Sequence, residues 1–264
     1  MIIQLCGKKQ SGKTTTANYI AGLVLKRHNI IQDFTIGSNG KLYIHAVMER
    51  NGKKEVSDGE LDMKRVDNDF ISYASHNIWP HVKIYSFATP LKEFCINVLG
   101  LSREKIYGNE SDKNELTNIN WANMPIPRSL KTAKDRNQFK NKTGFMTYRD
   151  VMQVFGTNIC RELNPLCWGI GCFNSILQEE SNISIIDDCR FEYEVNLGKN
   201  NNSKLILNTS SKNKDQHSSE TEIDTIPQDI FDFIIPEKEN ITLDQRFKYI
   251  DEMLIKIGLS YLLE

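Results

Sequence analysis

An α/β fold built on a parallel sheet is what this chain of 264 residues predicts. Strand-like apolar runs alternate with helix-like runs along most of its length, the pattern of a parallel sheet crossed by helices. The first such pair encloses Gly7-Lys8-Lys9-Gln10-Ser11-Gly12-Lys13-Thr14, which fits glycine, four residues, then Gly-Lys-Thr. The apolar run Ile2–Cys6 precedes it and a helical run Thr15–Lys26 follows it, the strand–loop–helix context of a phosphate-binding loop. Glycines let such a loop curl so that successive N–H groups point at a phosphate, and the helix N-terminus adds partial positive charge. The expected ligand is a nucleoside triphosphate with Mg²⁺, bound by Gly7, Gln10, Ser11, Gly12, Lys13, Thr14 and Thr15. Lys13 would reach the β- and γ-phosphates, and the Thr14 hydroxyl would hold the metal.

Composition narrows the class. With 39% hydrophobic and 25% charged residues the chain can bury a core, and it is not a disordered sequence. A net charge of −1 argues against a nucleic-acid footprint over the whole protein, so no stable nucleic-acid partner is expected. No apolar run approaches membrane-spanning length, and the N-terminus enters a strand without a leader pattern; an intracellular, cytoplasmic protein is the expectation. Six cysteines sit mostly in apolar runs without a CxxC pair. They read as buried reduced thiols rather than a zinc site.

The elements follow in order. Ala17, Ile20, Ala21, Val24 and Leu25 give the first helix a 3.6-period stripe for packing on a sheet. Lys41–Val47 reads as a strand, and Asn51-Gly52 is a hairpin turn signal, so a β-hairpin insertion spans about 37–69. Val82–Ala88 is the next sheet strand. Thr89 is placed to cap a helix with Pro90 in its first turn, which puts Lys92 where the helix dipole disfavours a cation. A polar, Lys- and Asn-rich insertion, irregular or partly helical, covers about 108–144. Thr147 and Asp150 form a capping-box start for a helix whose apolar face is Val151, Val154, Phe155 and Ile159.

Arg149, Gln153, Thr157 and Arg161 step by four along the other face of that helix. A straight helix would hold the two arginines about 18 Å apart. Either Gly156 breaks the helix or the arginines serve different parts of the ligand pair. A further helix starts near Trp168. The buried strand Ile183–Ile186 ends in Asp187-Asp188, at the carboxyl edge where α/β ligands sit. Lys204–Leu207 and Phe231–Ile235 are the remaining strands, and Leu243–Leu259 is an amphipathic final helix. The sum is a P-loop NTPase fold of three layers, α/β/α: one domain over 1–264 with two insertions and a lid loop at about 208–220.

In their order along the chain, several blocks resemble the bacteriophage-type deoxynucleoside monophosphate kinases. They are the phosphate loop; Ser86-Phe87-Ala88-Thr89-Pro90-Leu91-Lys92; Arg149, Gln153, Phe155-Gly156-Thr157, Arg161 and Trp168; Ile186–Phe191 with Glu194; and His217-Ser218-Ser219-Glu220. The resemblance implies transfer of the γ-phosphoryl of ATP to a deoxynucleoside 5′-monophosphate, supplying DNA precursors for a virus or phage. It implies catalytic roles for Lys13, Arg149, Arg161 and Arg190. The substrate-binding set would be Phe87, Lys92, Arg149, Gln153, Arg161, Trp168, Asp188, Arg190 and Glu194, with Thr14 and Asp188 at the metal. A homodimer is compatible with it. The chain departs from the family pattern in three places. Thr89 replaces an expected Asp, Asp187 stands where Ser is usual, and the lid stretch Leu207–Lys214 carries Lys212 and Lys214 in place of arginine.

Three other readings compete. A phosphomevalonate kinase of the animal type is similar in its phosphate loop and its Arg…Gly…Arg helix. A non-catalytic nucleotide-binding protein would account for the altered lid. A regulatory GTPase would need Asn-Lys-x-Asp, and Asn213-Lys214-Asp215 lacks the spacer.

Overall fold

The structure, a computed structural model, describes residues 1–50, 53–127, 130, 132–209, 222–236 and 241–264, without the side chains of 46–50, 53–58, 135 and 138. It divides into two compact units. One comprises Met1–Ser86 with Phe173–Glu264, the other Phe87–Cys172.

The first unit is built on a five-stranded parallel sheet. Its spatial order is Phe233–Ile235, Lys204–Asn208, Ile2–Cys6, Ile183–Cys189 and Val82–Tyr85, so the N-terminal strand lies at the centre. Strand side chains alternate in direction. Ile3 and Leu5 join the core that includes Ile20, Ala21, Val24 and Leu25 of the first helix, Lys13–Arg27, together with Ile250, Met253 and Leu254 of the final helix, Leu243–Lys256. Gln4, between them and fully buried, points the other way: its Nε2 donates at 2.9 Å to the carbonyl of Glu194 in the helix Glu192–Asn200. Helices therefore cover the sheet on both faces, which gives the three layers expected.

The β-hairpin insertion is present as Leu42–Arg50 against Lys53–Glu60, joined by a third antiparallel strand, Asp33–Ile36. Its Asn51-Gly52 turn signal lies outside the described residues, as do 210–221 of the lid loop with Lys212, Lys214 and the His217–Glu220 block.

The second unit has its own small core around Cys95, Ile106, Met146 and Val151, all fully buried. Part of the stretch expected to be irregular is ordered here: Leu116–Asn120 pairs antiparallel with Phe145–Thr147. The capping box forms as expected. Thr147 Oγ1 accepts from the N–H of Asp150 at 3.0 Å, and the Asp150 carboxylate accepts from the N–H of Thr147 at 3.1 Å. The cap before Pro90 differs from expectation. Thr89 is already the first helical residue of Thr89–Asn97, and Ala88, which has no side-chain acceptor, holds the cap position.

Downstream of Tyr148–Gln153 the arginine helix neither breaks at Gly156 nor stays α-helical. From Val154 to Cys160 it widens into a π-helix before an α-turn resumes at Arg161–Leu163. The Gly156 carbonyl takes a hydrogen bond from the Trp168 indole N–H at 2.9 Å. Four-residue steps cannot keep one face through such a segment, so Arg149 and Arg161 do not form a simple ladder.

Candidate active site

The phosphate loop runs from the end of the central strand to the start of the first helix. Gly7 (φ +142°) and Gly12 (φ +82°) both adopt backbone that side chains rarely take, and a Cβ on Gly7 would overlap the carbonyl oxygen of Asn208. Gln10 also has positive φ, at +63°. Non-glycine residues held this way concentrate at ligand clamps. The loop and its surroundings line a cavity of about 410 Å³, with Lys9 to Thr15, Lys64, Asp187, Asp188 and Arg190 on its walls.

Lys13 is only 6% exposed. Its ammonium folds back on the loop, donating to the carbonyls of Gly7 at 2.7 Å and Lys8 at 2.5 Å. Burial, with the Arg190 guanidinium nearby, pushes its pKa down to about 8. A buried cation held by carbonyls of a glycine-rich loop has a clear replacement partner in phosphate.

The carboxylate at Thr14 is that of Asp187, not Asp188. Thr14 Oγ1 donates to Asp187 Oδ2 at 3.2 Å, and Lys64 Nζ donates to Asp187 Oδ1 at 2.5 Å. Asp188 accepts from the Ser86 hydroxyl instead. The Asp187 side chain is 2% exposed. Burial pushes its carboxyl up, against the opposing pull of Lys64. Two hard oxygens side by side, one of them on a buried carboxylate already drawing a cation, fit Mg²⁺, which takes few protein ligands and keeps water and substrate phosphates. Among the described residues no group of three or more His, Cys, Asp and Glu gathers as a metal site.

The other expected site residues divide by unit. Arg190 lines the cavity. Glu194 is 3% exposed, and its Oε2 accepts from the N–H groups of Arg190 at 2.9 Å and Phe191 at 3.2 Å, a helix-capping role. In the second unit, Arg149 pairs with Glu110 and its Nε donates to Asn114 at 3.3 Å. Lys92 lies 4.4 Å from the Tyr107 ring centroid, a cation–π contact that supports its place in the helix's first turn. Gln153 is exposed and Arg161 half-buried. Phe87 and Trp168, expected as stacking faces, are 2% and 9% exposed, so packing is the role observed here.

Three residues escaped the sequence reading: Lys64, Asn208 and Arg246. Lys64 follows the inserted hairpin, Asn208 ends the neighbouring sheet strand, and Arg246 sits in the first turn of the final helix. A cation in a helix's first turn is a legible anomaly, and Arg246 carries that signal as plainly as Lys92 does.

A glycine-rich anion cradle between a central parallel strand and the helix behind it defines the P-loop class of α/β proteins. Within that class the family can be stated. No curated protein matches the chain. The model of the deoxynucleotide monophosphate kinase family matches residues 1–242, and the chain belongs to that family. Its role is accordingly that of a kinase in deoxynucleotide metabolism. No helix among the described residues is long and apolar enough to cross a membrane.

Proposed function

We propose that the protein transfers the γ-phosphoryl group of ATP to a deoxynucleoside 5′-monophosphate, yielding ADP and the deoxynucleoside diphosphate for DNA synthesis. The observation that carries this reading is the phosphate loop with Lys13 inside and Asp187 against Thr14, in a chain of this family. The bond from the γ-phosphorus to the ADP oxygen breaks, and one forms to an oxygen of the acceptor's 5′-phosphate. That oxygen already carries negative charge at neutral pH, so no general base is needed. Catalysis is positioning and charge neutralisation.

In this reading Lys13 exchanges its two loop carbonyls for the β- and γ-phosphate oxygens of ATP. The N–H groups of the loop cradle the same phosphates. Thr14 and Asp187 would hold the magnesium ion, with Asp187 in the metal role that the sequence reading gave to Asp188. When bound, Mg²⁺ neutralises developing charge on the phosphate oxygens. Lys64 compensates Asp187 before nucleotide arrives, and Arg190 meets the phosphoryl in flight. Arg149, Arg161 and Lys92 are the candidates for the acceptor's phosphate, because guanidinium matches phosphate bidentately.

A coupled ADP-release assay tests this with Mg²⁺·ATP against dAMP, dGMP, dCMP, dTMP and phosphomevalonate. Turnover on at least one deoxynucleotide is expected. Turnover on phosphomevalonate alone, or on none of the five, would overturn the proposal.

A further inference from the structure

Arg246 lies beyond the stretch that the family model matches, in the final helix Leu243–Lys256. It is 8% exposed, and one guanidinium nitrogen donates both to the carbonyl of Ser11 at 2.7 Å and to Asn208 Oδ1 at 2.8 Å. Asn208 Oδ1 also accepts from Thr16 Oγ1 at 3.0 Å, so one amide oxygen ties the final helix to the first. A Cβ on Gly12 would overlap the same guanidinium, which therefore fills the space behind the loop. Arg246 is not among the residues lining the cavity.

In a trans peptide the C=O and N–H point in opposite directions. A Ser11 carbonyl held on the guanidinium therefore turns the N–H of Gly12 away from Arg246. Gly12 itself lines the cavity, and a loop N–H turned toward it is the donor a phosphate oxygen would take. We infer that Arg246 is a positioning residue for the phosphate loop, locking the Ser11–Gly12 peptide in the orientation that receives phosphate. The inference rests on the loop's reading as the ATP site. It adds a part of that site supplied from outside the matched residues.

The test is equilibrium binding of inorganic tripolyphosphate and of ATP by calorimetry, on full-length wild type, Arg246→Met and Arg246→Lys, with thermal unfolding in parallel. Loss of a charged hydrogen bond that orders the loop predicts about tenfold weaker tripolyphosphate binding by folded Arg246→Met. Arg246→Lys should recover only part, since an ammonium lacks the planar fork. The KM for ATP rises in both variants while that for the acceptor is unchanged. A merely structural arginine would lower the melting temperature and leave the folded protein's affinity intact. Wild-type affinity in folded Arg246→Met overturns the inference. If that variant does not fold, wild-type affinity in Arg246→Lys overturns it, and weakened binding there supports it. A wild-type protein that binds neither tripolyphosphate nor ATP would instead remove the phosphate-loop reading beneath it.

Discussion

Lys13 and Arg149, both proposed above to meet phosphate, stand in contrasting conditions within their own units. Lys13 is buried, bonded to carbonyls of its own loop, and costly to keep charged. Arg149 stands half in solvent, its side chain 36% exposed, paired with a Glu110 side chain that is 80% exposed. An exposed pair of this kind is worth about 0–1 kcal/mol and exchanges readily for a better anion. The loop side is thus preorganised at the expense of stability. The arginine helix keeps the Arg149 charge half in water.

The largest effect that would break this comparison is at Lys13. Lys13→Met should lower kcat by about a hundredfold to a thousandfold or more with the circular dichroism unchanged. Wild-type turnover in a folded mutant would remove the first unit as the donor site. Next comes Asp187→Asn. Burial raises the folded-state pKa of Asp187, so the charged carboxylate costs stability above its unfolded pKa, and that cost grows as pH rises through the folded value. A neutral isostere should therefore raise the melting temperature at pH 7, while turnover falls about a hundredfold with loss of the metal's carboxylate. A mutant that melts lower would contradict the idea of stability sacrificed at the loop.

A pH titration sharpens the contrast between the two cations. Lys13, down at about 8 without nucleotide, should lose ATP affinity above that pH, by about tenfold per unit at the limit. Arginine stays charged throughout, so the KM for the acceptor should be flat from pH 7 to about 9. Stability moves the other way. Lys13 titrates at 10.5 when unconstrained, so between about 8 and 10.5 the unfolded chain binds the extra proton and this residue's penalty on folding fades as pH rises. The smallest effect is at the surface. Glu110→Gln releases Arg149 and should lower the acceptor KM about twofold to fivefold, as a surface pair would allow. An unchanged KM would take Arg149 out of the acceptor site.

What was legible in the sequence is what is local. The phosphate loop, the stripe on the first helix and the Thr147–Asp150 cap each fit within a few turns of chain, where spacing decides geometry. Choosing between Asp187 and Asp188 needed more. The strand Ile183–Cys189 is buried on both faces, so the polar-apolar alternation that normally tells one face from the other is missing. The π-segment was hidden because its sequence, Val154–Cys160, keeps an ordinary helical look, while the indole donor to Gly156 comes from the next helix. Lys64 meets Asp187 across 123 positions and Arg246 meets Ser11 across 235, so even the first-turn signal at Arg246 could not name its partner. The pairing of Leu116–Asn120 with Phe145–Thr147 spans a long polar connection, beyond the reach of turn signals.

The central place of Ile2–Cys6 in the sheet has a consequence for how the protein is made. The strand is made well before either of its neighbours, Ile183–Cys189 and Lys204–Asn208. At about 5–20 residues per second, synthesis leaves this apolar segment waiting roughly ten to forty seconds for its first partner. Pairings so distant in sequence also close slowly once both strands exist. The phosphate loop is therefore made before the strands that complete its sheet. Protection of the loop in a nascent chain would mark the end of folding rather than the beginning.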